Sequence, residues 1–364
     1  MIMTVQPRPM GQAITYREAL FQTMHDALSV NPNVIILGQG VDDHKGIFGT
    51  TLGLVQEFGA DRVVDTPLSE DGMTGVAIGA ALNGLYPIQT HIRMDFALLA
   101  ANQIINLAAK YKYMSGGRFE VPMLIRMVIG RSWGQGAQHS QSLQSLFAHI
   151  PGLTVIMPAS AQSIQDCYPH VISNHQGPVI AIEHRLMYDL AFHQLEVSQN
   201  PGATPLSSRL VRSGQDVTIV ATSIMVLEAL RTAEHLAAVS GIECEIIDLN
   251  CVSHPDAVMI TESVEKTGKL VIADTSWLAY GVSAEVCRLV CEYSPSALKA
   301  PVVTLGMQAA PCPTAKSLED RFYPNLRVMA DVIAKLVTGK SSHGIELPDE
   351  RSMADVYKSF KGPF

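Results

Sequence analysis

Asp65-Thr66-Pro67-Leu68-Ser69-Glu70-Asp71-Gly72, followed at once by the small-residue run from Met73 to Gly84, is the stretch whose reading decides the fold. Arg62-Val63-Val64 reads as a short strand that ends at Thr66-Pro67. Gly75, Ala77, Gly79, Ala80 and Ala81 read as a close-packed helix. Glu70 then stands on a strand-to-helix turn, where α/β proteins place their chemistry. An acid in a first helical turn also has a purely structural use, since it faces the positive end of the helix dipole. The dozen residues after Asp71 carry no charge, so the helix is expected to be buried and Glu70 to be partly desolvated at its mouth.

Upstream, residues 15–28 read as a helix with Thr15 and Glu18 in a capping box, and 33–38 as a buried strand. The glycine-bearing segment 45–51 reads as a connecting loop before a helix at 52–58, because it has no Gly-x-Gly-x-x-Gly or Walker-type lysine pattern. Downstream, strands are expected at 86–92, 121–128, 154–157 and 179–183. Helices are expected at 96–109, 143–149 and 161–173, and a glycine-rich loop ends in Gln138-His139-Ser140-Gln141-Ser142. Such βα alternation belongs to a doubly wound parallel sheet. Polar residues and prolines then mark a linker. Beyond it, strands at 216–221, 243–248, 269–274 and 301–305 alternate with helices at 225–240, 256–266, 282–293 and 317–322, closed by a helix at 328–337. The expected organisation is an N-terminal arm (1–13), a first α/β domain (14–190), a linker (191–208), a smaller second α/β domain (209–337) and a tail (338–364).

A chain of 364 residues exceeds the size at which one core keeps growing. Its 47% hydrophobic and 16% charged residues point to a large buried interface with another chain. The net charge of −8, with no basic stripe, excludes a nucleic-acid binder. No apolar run approaches the ~18 residues of a membrane span, and the first eleven residues lack an apolar signal core. A cytoplasmic protein is expected. Six cysteines without Cys-x-x-Cys spacing are expected as reduced thiols. A site for a diphosphate and its magnesium, made by this chain alone, should show a glycine-rich phosphate loop or an Asp and Asn pair, and neither stands at convincing spacing.

The series Thr66-Pro67-Leu68-Ser69-Glu70, Asp95-Phe96, Asn102-Gln103-Ile104-Ile105-Asn106, Met114-Ser115-Gly116-Gly117, Gln138-His139-Ser140-Gln141-Ser142, Pro151-Gly152-Leu153 and Leu186-Met187-Tyr188 resembles the β subunit of thiamine-diphosphate-dependent 2-oxoacid dehydrogenases. The likeness runs from about residue 14 to 337. Its second half, with Gly214-Gln215-Asp216, Ile247-Asp248-Leu249 and Pro311-Cys312-Pro313, is similar to the transketolase C-terminal domain. The resemblance implies a pyrimidine-binding-type first domain and an α2β2 heterotetramer whose α chain holds the diphosphate and Mg2+, with no metal held by this chain. The substrate would be pyruvate, a branched-chain 2-oxoacid or acetoin, and the fragment would pass to a lipoyl domain of an E2 partner. A carboligase or split transketolase that gives the fragment to an aldehyde or sugar is the alternative.

The same resemblance assigns Glu70 to the pyrimidine N1′ of thiamine diphosphate, Phe96 and Leu68 to the pyrimidine pocket, and His139 to the substrate or acceptor side. This sequence also departs from its relatives. Gln39 and Thr90 stand where β subunits usually carry acids that help relay protons between paired sites, and His91 and Arg93 stand where uncharged residues are usual. Arg93, three residues before Phe96, is expected to reach the same pocket and to suit an anionic substrate group.

Overall fold

The computed structural model describes residues 13–130, 134–193, 197 and 199–349. These fall into two units, one formed by 13–130 with 138–193 and the other by 134–137 with the described residues from 197 to 349.

The first unit is built on a six-stranded, all-parallel sheet in the order Val63–Asp65, Val34–Gly38, Tyr86–His91, Met123–Ile129, Pro178–His184, Thr154–Ile156. The chain passes from Val34–Gly38 outward to Val63–Asp65, then crosses back to Tyr86–His91 on the other side. This creates a topological switch point, where helices diverge and leave a crevice at the strands' carboxyl ends. Close approach here requires glycine: a Cβ on Gly38 would stand 2.8 Å from the Thr90 carbonyl oxygen.

The helix Tyr16–Val30 carries the expected capping box, in which Glu18 N–H donates to Thr15 Oγ1 and Thr15 N–H donates to Glu18 Oε2. Helix Glu70–Leu82 begins at the expected turn, but it is half exposed rather than buried. Thr74, Ala77, Ile78 and Ala81 face the core, while Val76 remains 55% exposed. The single helix expected over 96–109 is instead a short α-turn (Met94–Ala97), a 3₁₀ turn (Leu98–Ala100) and a π-helix (Gln103–Ala108). The run 94–108 has no Gly or Pro to announce these changes in winding.

The segment read as a plain loop is a left-handed turn. Gly46, Ile47 and Phe48 have φ of 45°, 44° and 57°, a conformation costly for any residue with a Cβ and most of all for β-branched Ile47. Below the strand ends, Arg126 and Glu183 form a fully buried bidentate pair at 2.6 and 2.9 Å, and Glu183 also accepts from Tyr168 and Tyr188. Burial opposes the Arg126 charge, yet Glu183 overcomes it and holds the guanidinium above its ordinary pKa. Two residues of the expected linker are not linker: Ala191–Phe192 pairs antiparallel with Ile14–Thr15.

The second unit has a five-stranded mixed sheet in the order Val303–Met307, Leu270–Trp277, Val217–Ala221, Cys244–Asp248, Arg209–Arg212. Four strands are parallel, and the edge strand Arg209–Arg212, which the sequence reading did not anticipate, is antiparallel. Part of the expected tail packs on this unit: Arg327 donates to the Pro348 carbonyl, and His235 bonds the Glu346 carbonyl. The expected N-terminal arm, apart from its last residue, and residues 350–364 of the tail lie outside the described residues. No helix among the described residues is long and apolar enough to cross a membrane.

Candidate active site

A narrow cleft opens at the switch point of the first unit. Its walls are Gly38 and Gln39 at the end of strand Val34–Gly38, Thr66, Pro67, Glu70 and Met73 from the turn and helix after Val63–Asp65, and Gln89, Thr90 and His91 of strand Tyr86–His91 with Ile92 and Phe96 beyond it. The sheet therefore brings together Glu70 and Phe96, 26 residues apart in sequence, because their strands flank the crevice. Leu68 is 84% exposed in the turn before Glu70. It is not among the cleft's lining residues.

Glu70 and His91 are the titratable side chains among the lining residues. Burial pushes the His91 imidazole down to about 4, so it is neutral near pH 7 and Glu70 is the lone acid of the cleft. Gln39 and Thr90, both departures from the resembling family, bring no carboxylate to it.

Three buried atoms of neighbouring residues, Gln89 Oε1, Thr90 Oγ1 and His91 Nε2, have no hydrogen-bond partner. An unpaired buried polar group costs about 1–3 kcal/mol. The three atoms belong to consecutive strand residues, whose side chains alternate between the two faces of the sheet.

His139 is half-buried and stands edge-on to Phe96, with ring centroids 5.2 Å apart and planes at 90°. Its loop is tied to the segment before Phe96 by Gln141, whose backbone N–H and side-chain Nε2 both donate to Asp95 Oδ1 at 3.2 and 2.9 Å. Burial raises the Asp95 pKa against these bonds and against the field of His139. Leu143 N–H donates to Met94 Sδ at 3.2 Å and extends the clasp. The imidazole expected to serve the substrate side is thus packed against the aromatic ring expected to hold the cofactor.

Arg93 does not reach the cleft as expected. It is 5% exposed and donates to the Ile92 carbonyl, and its guanidinium carbon lies 5.8 Å from the centre of the Phe48 ring. Arg185 approaches the same ring at 4.6 Å. Burial depresses both guanidiniums, Arg185 to about 10. Arg93 is the N-cap of the short helix Met94–Ala97, with extended backbone, whereas Phe96 lies inside that helix, so nearness in sequence does not put the two side chains on one side.

Gln89, Met73 and the Asp95–Gln141 clasp went unnoticed in the sequence. A signal was present, since Gln-Thr-His in a strand otherwise read as buried is a polar run that needs partners.

The wall residues fit an aminopyrimidine ring, with an aromatic face on Phe96 and a carboxyl on Glu70. Among the described residues no group of three or more His, Cys, Asp or Glu could hold a metal ion.

The class this fold and cleft define is the transketolase type. A model of the transketolase pyrimidine-binding domain matches residues 12–189, and one of the transketolase C-terminal domain matches 207–329. A solved structure described as a split gene transketolase, inactive beta4 tetramer, shares the fold with a TM-score of 0.69 at 22% identity, over 90% of this chain and 99% of that one. The subunit beta-2 of the mitochondrial pyruvate dehydrogenase E1 component of Oryza sativa subsp. japonica is 38% identical over 87% of this chain and 84% of its own length. The corresponding β subunit of Rickettsia bellii (strain RML369-C) is 35% identical over 89% of this chain and 98% of its own. The chain belongs to the family of pyruvate dehydrogenase E1 component β subunits, which are thiamine-diphosphate-dependent oxidoreductases.

Proposed function

We propose that the chain is the β subunit of a thiamine-diphosphate-dependent 2-oxoacid dehydrogenase that acts on pyruvate and works with an α chain in an α2β2 assembly. The observation that carries this reading is the cleft at the switch point, which brings together one carboxyl and one aromatic face. The exposed apolar residues Leu68, Val76, Leu98 and Leu99 of the same unit support a covering partner.

When bound, the cofactor supplies a carbon nucleophile and an electron sink for decarboxylation. Glu70 holds the proton shared with the pyrimidine N1′, a task suited to a carboxyl that is the only acid of its cleft. Phe96 packs on the ring face, and Leu68 closes the side turned to the partner. His139, braced against Phe96, steadies the substrate or assists transfer to the acceptor. The diphosphate and Mg2+ fall to the α chain, and the product fragment passes to a lipoyl-bearing acceptor.

Turnover of the copurified α/β complex with pyruvate, branched-chain 2-oxoacids and acetoin tests the reading. Decarboxylation of pyruvate is expected, together with weak or no binding of thiamine diphosphate to the isolated β chain in calorimetry. Tight binding without the α chain, or a complex inert to every 2-oxoacid, would refute it.

A further inference from the structure

The rings of His139 and Phe96 meet where the segments that carry them are tied together. Asp95 immediately precedes Phe96, and Gln141 follows His139 by two residues. Both donors of Gln141, the backbone N–H at 3.2 Å and the side-chain Nε2 at 2.9 Å, reach one oxygen, Asp95 Oδ1. The first bond sets the course of the main chain just beyond His139, and the second fixes the side chain of the residue that makes it. Leu143 N–H reaches Met94 Sδ, next to Asp95, and adds a weaker tie. The His139 ring packs on Phe96 at a centroid distance of 5.2 Å, so its place follows from that packing and from where its backbone is held.

An acid in the first turn of a helix can serve the helix dipole alone. Here the helix Met94–Ala97 is a single turn of four residues, and the Asp95 carboxylate turns instead to a residue 46 positions away. Asp95 is 7% exposed. A carboxylate withdrawn from water in this way persists only when hydrogen bonds replace its hydration, and bonds to an ionised acceptor are the strong ones. Asp95 is not among the residues that line the cleft, so its influence on the chemistry passes through the loop of His139.

We propose that Asp95 is a positioning residue that holds the His139 imidazole at the cleft by fixing Gln141 through two hydrogen bonds to one carboxylate oxygen. The assignment rests on the function proposed above, in which His139 serves the substrate or the acceptor.

The test is a double-mutant cycle on the assembled α/β complex with thiamine diphosphate and Mg2+, comparing the wild type, Asp95→Ala, Asp95→Asn, His139→Ala and the Asp95→Ala/His139→Ala pair. Two rates are read for each: C2 proton exchange of the bound cofactor by NMR, the step assigned to Glu70, and kcat/KM for pyruvate. Asp95→Ala is expected to lower kcat/KM by roughly 10²-fold through misplacement of the imidazole, and to leave C2 exchange within about twofold. Asp95→Asn keeps an oxygen for both N–H groups and is expected to stay within about threefold of the wild type in both rates. In the His139→Ala background, Asp95→Ala should cost no more than about twofold, since no imidazole is left to position. A joint loss of both rates in Asp95→Ala, an unchanged kcat/KM, or a full further loss on top of His139→Ala would each overturn the assignment. An unchanged kcat/KM in His139→Ala alone would overturn the role given to His139 in the functional reading, and this inference with it.

Discussion

The two units carry parallel strands to a carboxyl edge in the same way, yet they treat the polar groups there differently. In the first, Gln89, Thr90 and His91 reach the edge and leave one buried atom each without a partner. In the second, Thr222 Oγ1 donates to Asp274 Oδ1, Thr275 N–H donates to the same oxygen, and Asn250 N–H donates to Asp248 Oδ1. Asn250 Nδ2 further binds the carbonyls of Pro205 and Leu206, although Ser223 Oγ at the same edge is left without a partner. Strand ends are therefore not sites by virtue of the fold alone. The first edge brings a carboxyl and an aromatic ring to a cleft, whereas the second turns the carboxylates of Asp248 and Asp274 onto donors of its own chain.

The comparison breaks most visibly at Glu70. Glu70→Gln preserves size but removes the shared proton, and should slow C2 proton exchange of cofactor bound to the α/β complex by roughly 10²–10⁴-fold, with folding intact. NMR exchange measurements read this directly, and an unchanged rate would remove Glu70 from the chemistry.

Arg126→Met probes the support beneath the cleft. It leaves Glu183 buried without its cation, a change that costs about 3–5 kcal/mol. Thermal unfolding should show the transition of the first unit moving down while that of the second stays in place.

Acid titration sharpens the contrast because the units are expected to respond with opposite sign. The His91 pKa falls from about 6.5 unfolded to about 4 in the fold. Its contribution is therefore present above pH 6.5 and is lost as pH falls through 4. Burial raises Asp248 to about 6, against Arg209 and the Asn250 N–H. Its contribution is present below about pH 4 and is lost as pH rises through 6. Each linkage is worth roughly 3 kcal/mol at its limit. Stability measured from pH 4 to 7 for His91→Gln and Asp248→Asn should differ from the wild type with opposite slopes. Parallel slopes would show that burial of these two groups does not govern the response.

The smallest effect is expected at Arg93. Arg93→Met removes a cation from the Phe48 ring, so it should cost about 0.5–2 kcal/mol of stability and leave the KM ratio between doubly anionic and simple 2-oxoacids unchanged. A selective rise in KM for the doubly anionic substrate would return Arg93 to the substrate site.

Much of this architecture was legible before any coordinates. The Thr15 and Glu18 cap, the turn at Glu70 and the βα alternation depend on short-range rules: side chains three residues apart, a strand breaking at Pro67, a charge-free helix. The association of Phe96 with His139 was readable only through family likeness, since 43 residues separate them. The π-helix at Gln103–Ala108, the left-handed turn at Ile47 and Phe48, and the antiparallel edge strand Arg209–Arg212 left no local mark.

What the sequence by itself determined was the two-unit α/β plan, the place of Glu70 at a strand-to-helix turn and the likeness to a thiamine-diphosphate family. These follow from periodicity, turn chemistry and motif order, all written along the chain. Only the tertiary structure decided that Arg93 turns to Phe48 and that Glu70 is the lone acid among the described residues lining its cleft. Each of those depends on which groups from distant parts of the chain meet.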